Sequence, residues 1–225
     1  FKDARTVMSD STEVRAKRFV IATGSRASAP PIPGLADVDY LTNEDIFTVP
    51  SLPKHLLVIG AGPIGLEMGQ TFRRLGSDVT IVDIAEPLGR SEPEHAKVLK
   101  TALEKEGVMF YTPANTKIIR QVKTGKNKRV EIELESGEIL QGSHLLVAAG
   151  RKPIVDGLGL EAAGVTYDRR GIETDDSLRT SNKRVYAAGD VAKGMGGLTH
   201  AAGFHAGQII KNFYFMPPVI GRALS

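Results

Sequence analysis

Two stretches of this 225-residue chain carry residues arranged for nucleotide chemistry. The first, HLLVIGAGPIGLEMGQTFRRLG at residues 55 to 76, sets Gly60, Gly62 and Gly65 between an apolar run and a helical pattern. In such a turn the first glycine permits the tight bend, the second lets the backbone approach a pyrophosphate, and the third lets helix and strand pack closely. Pro63 and Ile64 open the helix, whose first N–H groups then face an anion. A second apolar run, VTIV, ends at Asp83. A carboxylate there accepts hydrogen bonds from the adenosine ribose hydroxyls and repels a 2′-phosphate, which favours NAD over NADP. Arg90, close by, is the residue that could instead accommodate that phosphate. Gly150 closes a later strand beside Arg151, at the sheet edge where ligands of open α/β folds collect.

The second stretch, RVYAAGDVAKGMGGLTHAAG at residues 184 to 203, reads as a strand ending in Gly189-Asp190, a glycine-rich loop and a helix from Thr199. A carboxylate facing a helix N-terminus suits a nucleotide cofactor that carries both hydroxyls and anionic groups. Glu67 is the odd residue of the first helix, set among Ile64, Leu66 and Met68. Its spacing fits either a paired carboxylate or a solvent-facing one.

Composition narrows the chemistry. There is no cysteine, so these residues supply no thiol nucleophile, disulfide or thiolate metal site. The histidines at 55, 95, 144, 200 and 205 form no helical metal-ligand pair, and no metal is expected. Basic and acidic residues, 29 against 26, are interspersed, which describes a solvated surface better than a nucleic-acid face. No apolar run is long enough to span a membrane, and the first residues lack a signal-peptide pattern, so a cytoplasmic setting is expected.

These residues need a scaffold. Residues 1 to 24 read as a hairpin whose second strand is RFVIAT; SRASAPPIPG is a proline-rich connector, and VPSLPK a linker that puts a domain boundary near residue 52. Strands then alternate with helices: LLVI, a helix from Pro63 to Leu75, VTIV, a helix to Glu106 started by a capping box over Ser91–Glu94, and VMFY. That order predicts a parallel sheet with helices on its faces. Three runs joined by turns around residues 124–127 and 136–137 predict an antiparallel meander, with KTGKNKR as a polar hairpin loop. HLLVAAG returns to the sheet, and a last helix runs from Thr199 to about Phe213.

Taken in order, FVIATGSRASAPPIPG, HLLVIGAGPIGLEMG, HLLVAAGRKP and RVYAAGDVA resemble the class I pyridine nucleotide–disulfide oxidoreductases, the flavoenzyme family of dihydrolipoamide dehydrogenase and mercuric reductase. The resemblance implies an α/β architecture in which a Rossmann-like NAD domain, a parallel sheet plus meander over residues 52–152, is inserted into an FAD domain. The FAD domain is represented by a truncated first segment, 1–51, and a return segment, 153–225. It further implies that Thr23, Gly24 and Gly189 edge the FAD site and that Asp190 binds the ribityl chain. The helix from Thr199 aims its positive end at the isoalloxazine, and Glu67 pairs with a lysine near the flavin that is not in these residues.

The family's first FAD fingerprint, cysteine pair and His-Glu acid/base pair are likewise absent, so a fragment, inactive alone, is expected. The parent would be a homodimer moving hydride between NAD(H) and a lipoyl-type disulfide or dithiol, through FAD. Dihydrolipoamide is the expected substrate. The alternatives are reduction of mercuric ion or another disulfide, or a non-catalytic nucleotide-binding module.

Overall fold

The computed structural model describes residues 1–89, 91–124, 127–194 and 197–215. Arg90, the tip of the predicted meander hairpin at Gly125-Lys126, and Met195-Gly196 of the glycine-rich loop lie outside the described residues. The chain forms two compact units, Phe1–Arg26 with Arg151–Ser225, and Ala27–Gly150.

In the two-segment unit, β1 (Thr6–Ser9) and β2 (Thr12–Arg15) make the hairpin, with Thr6 opposite Arg15. RFVIAT is therefore not its second strand. Asp10, at φ 50, turns the chain so tightly that Thr12 already pairs with Ser9. The apolar β3 (Phe19–Ile21) is left for a parallel partner. The connector begins with a short strand, β4 (Ser25–Ala27).

The continuous unit is built on β5 (His55–Ile59), α1 (Pro63–Arg74), β6 (Asp78–Val82), α2 (Pro93–Lys105) and β7 (Val108–Tyr111). A meander of β8 (Thr116–Thr124), β9 (Asn127–Leu134) and β10 (Ile139–Gly142) follows, then β11 (His144–Val147). The parallel sheet runs β11-β5-β6-β7, and the meander is antiparallel. Successive strand residues point to opposite faces. Leu56, Val58, Val79, Ile81 and Leu146 meet Leu66, Phe72 and Leu103 of the two helices. Leu57, Ile59, Val82, Leu145 and Val147 meet Ile119, Val130, Ile132 and Leu134 of the meander. The helices thus cover one face and the meander the other, not helices on both, and burial on both sides explains why LLVI shows no polar alternation.

Residues 27–51 pack with this unit, because Leu35 (2% exposed) and Ile46 (0%) enter its two cores; the division falls at residue 26 instead of near 52. The unit's ends meet where Ser28 N–H donates to Gly150 O at 3.0 Å. The Ser91 capping box does not form. Glu92 is the N-cap, without a side-chain cap bond, and Pro93 at the first position sets the helical φ in its place.

The return segment supplies β12 (Arg151–Pro153), paired with β4, and the small hairpin β13 (Tyr167–Asp168) and β14 (Gly171–Ile172). It then gives β15 (Val185–Ala187), parallel to β3, a 3₁₀ turn at Gly189–Val191, and α3 (Thr199–Tyr214). Ile21, Leu160, Ile172, Val185, Ala187 and Val191 fill the core.

Burial holds three histidines, His55, His144 and His205, below the ordinary value of 6.5. The unfolded chain therefore takes up these protons first as pH falls. The associated stability is whole above about pH 6.5 and declines from there down through the lower folded values. Thermal midpoints are expected to drop as pH falls from about 6.5 to 5.5, before the carboxylates held low by Arg and Lys partners, such as Glu133, begin to protonate. A midpoint constant over that interval would contradict this assignment.

Candidate functional site

In the continuous unit the three fingerprint glycines separate by cause. Gly60 has φ 108, and a Cβ there would lie 2.5 Å from Ala148 O; at Gly65 it would lie 1.9 Å from Gly60 O. Both positions are closed by the protein's own backbone. Gly62 differs: its φ is −78, open to any residue, and a Cβ would meet nothing within 4 Å. Its glycine is not required by the fold. It is the N-cap of α1, which has no side-chain cap bond, and exposed Pro63 and half-buried Ile64 follow in the first turn.

Asp83 is half-buried at the end of β6 and tied to this turn. Its Oδ2 accepts from Ala61 N–H at 2.6 Å and its Oδ1 from Ala85 N–H at 3.0 Å. Each oxygen keeps a lone pair for a further donor. The sequence placed Asp83 at the strand end but gave no sign of its bond to the glycine turn. Gly150, φ 146, also borders open space. Glu67 is exposed, the solvent-facing alternative of the two; among the described residues its carboxylate has no partner, while its backbone carbonyl accepts from Thr71 Oγ1.

In the two-segment unit, Thr23 is exposed and its Oγ1 donates to Ile154 O at 2.8 Å; Gly24, φ 68, borders open space. Gly189, φ 72, donates its N–H to Nδ1 of buried His205 at 3.2 Å. Asp190 accepts from Ser25 Oγ at 2.5 Å, and that oxygen in turn accepts from Arg151 Nε at 2.8 Å. Arg151 Nη2 also donates to Ser25 O, and its Nε stands 4.0 Å from Asp190. A Cβ on Gly197 would lie 3.9 Å from Asp190 Oδ2, so the carboxylate sits against the loop that leads to exposed Thr199 and α3. Ser25 and His205 join this candidate site without a local sequence signal. Their only signal would have been the strand pairing that brings residues so distant in sequence together. Among the described residues no cluster could hold a metal ion, and no helix is long and apolar enough to cross a membrane.

A strand, a glycine turn, a helix and a carboxylate on the next strand make the architecture of dinucleotide-binding α/β proteins. The family model for pyridine nucleotide-disulphide oxidoreductases matches residues 1–206, and the chain belongs to that family. It is 40% identical over 215 residues to the mercuric reductase of Bacillus cereus, covering 94% of this chain and 34% of that protein. It is 42% identical over 188 residues to the dihydrolipoyl dehydrogenase of Cupriavidus necator, covering 80% of this chain and 39% of the relative. Among solved structures, the HOCl-induced flavoprotein disulfide reductase RclA of Escherichia coli superposes with a TM-score of 0.87 at 27% identity, over 99% of this chain and 50% of that one. The chain thus spans well under half the length of its curated relatives.

Proposed function

We propose that the chain is part of an FAD-dependent oxidoreductase that moves hydride between NAD(H) and a disulfide or dithiol substrate. The observation that carries this reading is Gly62, a glycine with no packing or torsional need, at the mouth of a helix whose first turn has no side-chain cap. The first-turn N–H groups of α1 would hold the pyrophosphate, Asp83 the adenosine ribose of NAD in preference to NADP, and Gly150 would leave room at the sheet edge. In the other unit Thr23, Gly24 and Gly189 would border FAD, with Asp190 on its ribityl hydroxyls and the N-terminus of α3 favouring the electron-rich flavin.

When bound, NAD(H) and FAD supply the hydride exchange; the protein's residues bind and orient them. Glu67, exposed on α1, is available to a cationic partner. Oxidation of a dihydrolipoyl dithiol is the first reading for the whole protein, working as a cytoplasmic homodimer. The mercuric reductases matching 94% of the chain support a second, reduction of mercuric ion. Parallel assays of the full-length protein with dihydrolipoamide plus NAD and with mercuric ion plus reduced nucleotide separate them.

The nucleotide site is tested on this chain by Gly62→Val. The variant is expected to keep the wild-type thermal midpoint, since its side chain enters open space, and to lose NADH binding by at least about tenfold, as a branched side chain blocks approach of the pyrophosphate. Unchanged NADH affinity in a folded variant would make the fingerprint a structural turn.

A further inference from the structure

The two-segment unit carries a second concave surface, far in register from Gly24 and Gly189. β3 and β15 run parallel, and the candidate flavin residues follow their carboxyl ends. At their amino ends lies an open basin of about 820 Å³ lined by Arg5, Arg15, Lys17, Arg18 and Arg184. The fold brings these side chains together from three places. The hairpin register sets Arg15 opposite Thr6, next to Arg5. Phe19 N–H donates to Arg184 O at 2.8 Å, which joins the start of β3, and with it Lys17 and Arg18, to the start of β15.

Among the described residues no carboxylate lines the basin, and none of the five cations has a carboxylate partner within 4 Å. Asp3 accepts from Arg5 N–H at 2.7 Å and is held low by that bond and, in part, by the charge of Arg15. Arg18 is occupied structurally, stacking 4.6 Å over the Phe213 ring and donating to Phe213 O at the end of α3. Arg5, Arg15, Lys17 and Arg184 have no comparable structural role. Bringing like charges together destabilises a fold unless an anion joins them, and guanidinium forks match phosphate oxygens two at a time. On a chain whose formal net charge is only +3, this concentration is a local feature and not a general excess of base. Tyr214, 76% exposed on the rim, offers an aromatic face beside it.

We infer that this basin is an oligophosphate-binding site, taking two or more linked phosphate groups on Arg5, Arg15, Lys17 and Arg184, whether as an inorganic chain or as the tail of a nucleotide. It is separate from the nucleotide turn at Gly60–Gly65 and does not depend on how that turn is read. Calorimetric titration of inorganic tripolyphosphate into the 225-residue chain is expected to show saturable one-to-one binding. Arg15→Gln with Arg184→Gln should weaken it about tenfold or more, whereas removing two exposed charges from α2, Lys97→Gln with Lys105→Gln, should change it less than about twofold.

Thermal midpoints check that both pairs fold. Arg15→Lys with Arg184→Lys keeps the charge while removing the forks, and should give an intermediate loss whether or not the glutamine pair is stable. ATP titrated against the same variants separates the sources: an arginine-dependent affinity equal to that of tripolyphosphate assigns the site to the phosphate chain alone, and a tighter one adds base stacking on Tyr214. Absence of saturable tripolyphosphate binding, or equal weakening by the α2 pair, overturns the assignment.

Discussion

Gly65→Ala is expected to lower the stability of the continuous unit by about 3 kcal/mol or more and to abolish NADH binding with it. The added methyl would lie 1.9 Å from Gly60 O, and the obstructing atom is backbone, with no rotamer to give way. Relief comes only if α1 moves off β5. That shift reopens the Leu66 and Phe72 contacts with the sheet and misplaces the first-turn N–H groups. Gly69→Ala is the internal comparison: its methyl would meet the flexible end of Ile81 at 2.9 Å and should cost less. Urea unfolding of the two variants measures the difference, and a Gly65→Ala midpoint equal to wild type would show that the helix yields without cost.

Asp83→Ala is expected to weaken NADH binding about tenfold or more and to erase the proposed preference for NADH over NADPH. A hydrogen bond to a charged group contributes about 1.5–3 kcal/mol, and the carboxylate also repels a 2′-phosphate. Because Asp83 accepts from Ala61 and Ala85 N–H groups, the alanine variant also loosens the glycine turn, and a fall in affinity for both nucleotides alone would not isolate specificity. Asp83→Asn does. Its amide oxygen can still accept from Ala61 N–H, with only the Ala85 bond lost, while the negative charge is gone, so the NADH-to-NADPH ratio should fall with the bond to the glycine turn kept. Calorimetric titration of both nucleotides decides it; an unchanged ratio in Asp83→Asn assigns the nucleotide choice elsewhere.

What the sequence made legible was whatever its local chemistry determines. Gly60 and Gly65 are forced by backbone approach, and the runs LLVI and VTIV are apolar because both sheet faces are covered; motif, strands and α1 could therefore be read directly. The errors lay where several local solutions compete. Ser91 and Glu94 have the spacing of a capping box, yet Pro93 at the first helical position moves the N-cap one residue on, from Ser91 to Glu92. RFVIAT could pair with the hairpin or with a distant strand, and burial of Ile21 against Val185 and Ala187 favours the distant one. Leu35 and Ile46 were hidden in a proline-rich connector, although each fills a core. The Ser25–Asp190–Arg151 chain was invisible because it joins residues from opposite ends of the sequence.

The bond between Ser28 and Gly150 has a consequence for the order of assembly. The β3–β15 pair requires residues 19–21 to find residues 185–187 across the whole intervening polypeptide, an encounter with a high entropic barrier while that polypeptide is a coil. The continuous unit has its own contacts and its own cores, and folding it draws Ser28 to Gly150. Arg26 and Arg151 are then neighbours through chain connectivity, and the remaining search is over two short arms in place of one long loop. The continuous unit is therefore expected to act as an intramolecular template, and slowing its closure to delay the other unit even where no residue of that unit has been changed.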